Sequence, residues 1–120
     1  MTVVPDPRNC PGLAAEALRR DHAIVVRLAG ELDLATVPRL RQALAAALAE
    51  RPALLVVDLS AVEFLAAAAI GELVSARQGG RGATPIRLVA TRAAIRRPLE
   101  ITGVTREIPV YPTVGQALAE

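Results

Sequence analysis

The side chains able to do chemistry in this chain are few, and their spacing rules out most reactions. His22 is the one histidine. It stands at a hairpin turn, remote in sequence from Cys10, Ser60 and Ser75, so no nucleophile has a base at hand and His22 reads as a turn residue. Metal ligation needs clustered His, Cys or carboxylates, and the sequence has no such cluster. The chain holds no lysine, so a phosphate-binding Gly-x-x-x-x-Gly-Lys loop is excluded. Gly79-Gly80-Arg81-Gly82 closes a helix instead of opening one and reads as a loop. These absences lead to the expectation of a non-enzyme without cofactor or metal.

Two carboxylates stand out, Asp33 after one strand and Asp58 at the end of another. Acids at the same end of a parallel sheet converge where α/β folds place their sites. The same residues have a structural reading: Asp33 braces the coming helix and Asp58 bonds a turn.

The rest of the chain must position them. It has 120 residues, 52% hydrophobic and 2% aromatic. That is one domain with a core of Ala, Val, Leu and Ile. Base stacking needs aromatic faces, and the net charge is only +2, so nucleic acid is not an expected partner. No apolar run nears the roughly 18 residues that span a membrane and no signal sequence opens the chain, so a cytoplasmic protein is expected. Residues 1–12, with Pro5, Pro7, Cys10 and Pro11, read as a flexible leader, and 13–120 as the domain.

Period-two alternation predicts strands over 13–19 and 23–29, joined as a hairpin at Asp21-His22. A helix is expected over 36–50, with Thr36 as its cap, Pro38 in its first turn, and Val37, Leu40, Leu44, Ala47 and Leu48 on one stripe. The run 53–59 is apolar throughout until its acid, as in a strand covered on both faces. A second helix should begin near Ala66 or Ala67 and end near Gln78. A strand at 86–90, a helix capped by Thr91 with Ile95 and Leu99 inward, an edge strand at 108–111 and a helix at 113–119 complete the order. Pro98 should kink or restart the third helix. Arg92, Arg96 and Arg97 read as a solvated basic face, with docking as the alternative. The class is α/β: a mixed sheet of four or five strands with about four helices packed against it.

The stretches around the two acids carry a resemblance. Val26 to Thr36 includes Gly30-Glu31-Leu32-Asp33. Val56-Val57-Asp58-Leu59-Ser60 leads on to Phe64-Leu65, followed by Leu99-Glu100-Ile101-Thr102-Gly103 and Tyr111-Pro112-Thr113. Four stretches in this order and at these intervals resemble the STAS domain of the anti-sigma factor antagonists. The resemblance implies a protein that binds an anti-sigma factor of the serine-kinase type. It also implies a switch, in which the kinase phosphorylates a serine at the start of the second helix, in a segment like Asp-Ser-x-Gly-Leu-Gly, and binding is lost.

Here that segment is Ala66-Ala67-Ala68-Ala69-Ile70-Gly71. Ala66 replaces the acid, Ala67 the serine and Ala69 the first glycine. Ala67 has no oxygen to accept a phosphate, so the roughly −1.5 to −2 charges of a phosphoserine cannot be added there. The resemblance places the partner-binding surface on Asp33, Thr36, Asp58, Phe64, Ala66, Ala67, Ala68, Ala69 and Ile70. Ala69 is expected to add a methyl group where glycine would admit a partner's backbone. Two roles follow: an antagonist that is always competent to bind, or a domain repurposed for another regulatory protein. The triple replacement weighs toward the second. A regulatory subunit of a membrane transporter ATPase is a further alternative.

Overall fold

The computed structural model describes residues 9–10, 12–79 and 84–119. Its strands are β1 (Asn9–Cys10), β2 (Leu13–Arg20), β3 (Ala23–Leu32), β4 (Leu54–Leu65), β5 (Ile86–Val89) and β6 (Val110–Tyr111). Its α-helices are α1 (Val37–Ala49), α2 (Ala67–Gly79), α3 (Ala93–Ile101) and α4 (Val114–Ala119), and a 3-10 turn covers Val104–Arg106. The strands form one sheet in the order β1-β2-β3-β4-β5-β6. β1, β2 and β3 pair antiparallel, and β3 through β6 pair parallel.

The layering follows from that order. Successive parallel strands laid down in one direction by crossovers of one hand place every crossover helix on the same face. α1, α2 and α3 do lie together, packing Leu40, Leu44, Ile70, Leu73, Ile95 and Leu99 against Ile24, Val26, Leu28, Leu55, Val57 and Leu88. The alternate residues Val25, Val56 and Val89 point to the opposite face, where Ala117 of α4 covers them. The central strands are therefore apolar on both sides, which explains the unbroken run in β4.

At Gly30 and Gly103 the backbone takes a conformation that favours glycine. Gly30 has φ +116, and a Cβ there would meet the Gly12 carbonyl oxygen at 2.3 Å. The close approach lets the Glu31 N–H donate to Gly12 O at 2.7 Å. Gly103, with φ +80, ends α3 in the left-handed conformation that stops a helix.

Several expectations change. Asn9 and Cys10 pair with Ala14 and Leu13, so the end of the expected leader is an edge strand and the sheet has six strands. Residues 1–8 and 11 of that leader lie outside the described residues, as do Gly80, Arg81 and Gly82 of the expected loop. β4 runs six residues past Leu59, because a register shift opposite Arg27 to Ala29 absorbs Leu59 and Ser60 and pairing with β3 then resumes. Ser60, beside the turn expected at Asp58, is therefore a strand residue. Thr91 does not cap α3: its hydroxyl donates to Pro112 O at 2.7 Å, and Arg92 is the cap residue. α3 passes through Pro98 unbroken. The carbonyl that loses its partner there belongs to the exposed Ala94, where water can serve it.

Candidate functional site

β3 and β4 end side by side, Leu32 opposite Leu65. The chain leaves β3 into α1 and leaves β4 into α2, so both helix starts sit at one end of the sheet. They are fastened there by the Ala66 N–H, which donates to Leu32 O at 2.8 Å. Ala66 O then accepts from Ala69 N–H at 3.0 Å and Ile70 N–H at 3.2 Å, opening α2 inside the alanine run.

Asp33 and Thr36 brace each other. Asp33 N–H donates to Thr36 Oγ1 at 2.9 Å, and Thr36 N–H donates to Asp33 Oδ1 at 3.0 Å. The Thr36 hydroxyl donates to Glu31 O at 2.8 Å. This reciprocal pairing closes the turn before α1. Thr36 is the cap residue by position, but its hydroxyl bonds back into that turn and makes no side-chain bond to the helix's first N–H groups, so the capping expected of it is not made. Thr36 is thereby spent and buried, whereas Asp33 is half-buried and reaches the surface.

Asp58 does not join them. It sits mid-strand, in register with Arg27 and Val89, and shares the α4 face of the sheet with Val56. It is buried, and its Oδ1 accepts from Ser60 N–H at 3.0 Å and from the Ser60 hydroxyl at 2.6 Å. Arg27 Nε lies 4.0 Å from its Oδ2. The expected convergence of the two acids is corrected by simple alternation: Asp58 lies between the inward Val57 and Leu59, so it must point the other way.

The alanine run divides by burial. Ala67 is exposed, Ala66 and Ala68 are half-buried, and Ala69 and Ile70 are core residues. Ala69 is 0% exposed, so its methyl group meets the core and cannot obstruct a partner. That overturns the expectation placed on it, and Ile70 is likewise withdrawn from the surface.

Two large apolar side chains reach solvent at this end. Phe64, one residue before the buried Leu65, is 51% exposed. Leu34, in the turn between β3 and α1, is 79% exposed. The sequence reading missed Leu34. Its signal was an apolar residue between a strand end and a helix cap, where no periodicity asks for one. Arg92 also belongs here: its guanidinium donates to Val62 O, tying the start of α3 to the end of β4. Arg96 lies 3.9 Å from Glu100 along the same helix. No three His, Cys, Asp or Glu side chains converge on one point among the described residues. Nor is any helix among them long and apolar enough to cross a membrane.

The scaffold can be compared with known proteins. The profile described as STAS domain matches residues 14–117, nearly the whole of the sheet and its helices. The chain belongs to the STAS domain family. The anti-sigma-F factor antagonist RsfB of Mycobacterium tuberculosis is 32% identical over 94 residues, covering 78% of this chain and 77% of that protein. The crystal structure of an anti-sigma factor antagonist from Mycobacterium paratuberculosis superposes with a TM-score of 0.85 at 37% identity, over 89% of this chain and 92% of that one. The anti-sigma factor antagonist SpoIIAA in its unphosphorylated form has a TM-score of 0.70 at 17% identity over 88% and 93% of the two chains, a likeness of fold. This STAS protein is thus similar to anti-sigma factor antagonists, and its mixed sheet with four helices is the fold of those neighbours.

Proposed function

We propose that this STAS protein binds an anti-sigma factor through the end of the sheet where β3 and β4 hand over to α1 and α2, and that phosphorylation at the head of α2 cannot release it. The contact residues are the exposed Leu34, Phe64 and Ala67 and the half-buried Asp33. The observation that carries this reading is the burial pattern of the alanine run, exposed at Ala67 and sealed at Ala69. An exposed helix start supports a docking role, and a methyl group there gives a phosphate no point of attachment. The chemistry is binding and not turnover.

Burial also weighs between the two roles. A bulky replacement of the first glycine would argue for lost docking if its methyl faced the partner. It faces the core, so the role of a permanently competent antagonist is favoured over a repurposed domain. The protein would act in the cytoplasm, where sigma factors and their regulators meet.

The test is capture from the native cell, comparing the protein with its Ala66→Asp/Ala67→Ser/Ala69→Gly variant. A serine-kinase anti-sigma factor recovered by both proteins is expected, with phosphate appearing on the variant alone. Recovery of a transporter ATPase and no such kinase would contradict the reading.

A further inference from the structure

The outer edge of β2 is an unpaired half-ladder. Glu31 N–H bonds Gly12 O, so the even-numbered residues of β2 direct their backbone groups toward β3 and the odd-numbered ones direct theirs outward. β1 meets that edge only at Leu13 and Ala14. The outward groups of Ala15, Ala17 and Arg19 have no strand beside them among the described residues. This stretch has neither proline nor bulge to guard it. Beside it lies a groove of about 740 Å³ between β2 and α1. Arg39, Ala43, Ala46 and Glu50 line the groove and make one stripe at helical spacing along α1 and its C-cap. The stripe is basic at its start, acidic at its end and small between. Both ends are keyed to the strand: Arg39 Nη2 lies 3.5 Å from Ala15 O, and Glu50 Oε1 accepts from Arg19 Nε at 3.0 Å. Neither charge is fully used. Arg39 Nε is buried without a hydrogen-bond partner among the described residues. Arg19 bonds Glu50 through Oε1 alone, which leaves Oε2 open to a second donor.

We propose that this edge docks a second copy of the chain, β2 against β2, about a two-fold axis through Ala17. Antiparallel strands pair outward-facing residues with outward-facing residues. The axis sets Ala17 opposite the partner's Ala17 and Ala15 opposite the partner's Arg19. β1 ends the ladder there, because it already covers Ala14. That register decides what the helices meet. α1 runs along β2 in the same direction, and the axis reverses the partner's copy. Arg39, at the level of Ala15, then faces the level of the partner's Arg19, where the partner's Glu50 lies. Symmetry repeats the contact between Glu50 and the partner's Arg39. Each guanidinium gains a carboxylate and each Glu50 a second donor. Ala43 and Ala46 fall between the two ion pairs. α1 packs against both β2 and β3, so the two helix axes would stand two strand separations apart, roughly 9–10 Å. Helices pack at that distance, and small side chains suit such a seam. Moving the axis to Glu16 or Leu18 would put Arg39 and the partner's Glu50 out of level by roughly 7 Å. On the α4 face, Glu16 would lie diagonal to the partner's Glu16 and to the partner's Arg20, one repulsive and one attractive. This edge is separate from the proposed anti-sigma surface, and neither reading depends on the other.

Sedimentation equilibrium on the full chain over a range of concentrations tests it, with amide hydrogen exchange read by NMR on the same samples. A monomer–dimer equilibrium is expected. The Ala17 and Arg19 amides should exchange more slowly as concentration rises, while those of Glu16 and Leu18, which face β3, keep their rates. Ala46→Arg should leave the fold intact by circular dichroism, since Ala46 is exposed. It should weaken the dimer about tenfold or more by putting bulk and charge into the helix seam. Arg39→Glu should weaken it likewise, and adding Glu50→Arg should restore association by setting opposite charges face to face again. A chain that stays monomeric at every concentration would overturn the proposal. So would a dimer that Ala46→Arg and Arg39→Glu leave unchanged, or one in which the Ala17 and Arg19 amides exchange as fast as in the monomer.

Discussion

Replacing Ala69 by glycine, the residue that the family pattern carries there, should destabilise this protein. The Ala69 side chain is 0% exposed, in the first turn of α2, within the cluster that holds Ile70 and Leu73. Removing its methyl group forfeits about 0.8 kcal/mol of burial. Placing glycine inside a helix costs a further 0.8–1.0 kcal/mol or so in backbone freedom. The total is about 1.5–2 kcal/mol, which for a domain of this size lowers Tm by roughly 5–10 °C. Urea denaturation followed by circular dichroism measures it directly: the midpoint should fall while the slope stays fixed, since the surface exposed on unfolding barely changes. A variant as stable as the parent, or more so, would refute the reasoning. It would mean that the methyl group is squeezed where a glycine belongs, and that the alanine run is strained and not adapted.

Other outcomes follow from the same geometry. Ala66→Asp should stabilise the protein by about 1 kcal/mol, because a carboxylate at the cap accepts from the first N–H groups of α2 and meets the positive end of its dipole; thermal melts check this. Leu34→Asp should leave stability within about 0.5 kcal/mol, since the residue is exposed, yet weaken partner binding about tenfold or more, read by titration calorimetry. The Arg41 guanidinium donates to Glu72 Oε1 at 2.5 Å and holds the Glu72 carboxyl below the usual carboxylate range. A lowered folded-state value means stability present above the unfolded-state value and lost as pH falls through the folded one. The difference in stability between the parent and Glu72→Gln should therefore shrink as the pH is taken down through the acid range, and a constant difference there would contradict the assignment.

Much of this was legible before any coordinates. The alternation of Ile24, Val26 and Leu28 gave the inner face of β3, the stripe of Leu40, Leu44 and Ala47 gave α1, and Gly103 marked the stop after α3. Local pattern decides such features. The failures lay where tertiary pairing overrides it. The strand was expected to stop at Leu59, where Asp58 and Ser60 look like a turn, but the neighbouring β3 recaptures the chain from Ala61 onward, beyond the bulge. Asp58 was expected at the end of its strand beside Asp33, but β4 continues past it, and its alternation with Val57 and Leu59 turns it to the α4 face. Ala69 was taken for a surface residue because a motif names positions without saying which way a helix turns them. Leu34 was overlooked because no pattern distinguishes an exposed apolar side chain kept for a partner from one that is incidental.

The most direct measurement is the lifetime of the complex with the anti-sigma kinase when ATP is added. Surface plasmon resonance would follow the parent and the Ala66→Asp/Ala67→Ser/Ala69→Gly variant side by side. The parent should dissociate at the same rate with and without ATP, whereas the variant should be released as its new serine gains phosphate. ATP-driven release of the parent, with phosphate found anywhere on its chain, would contradict the account.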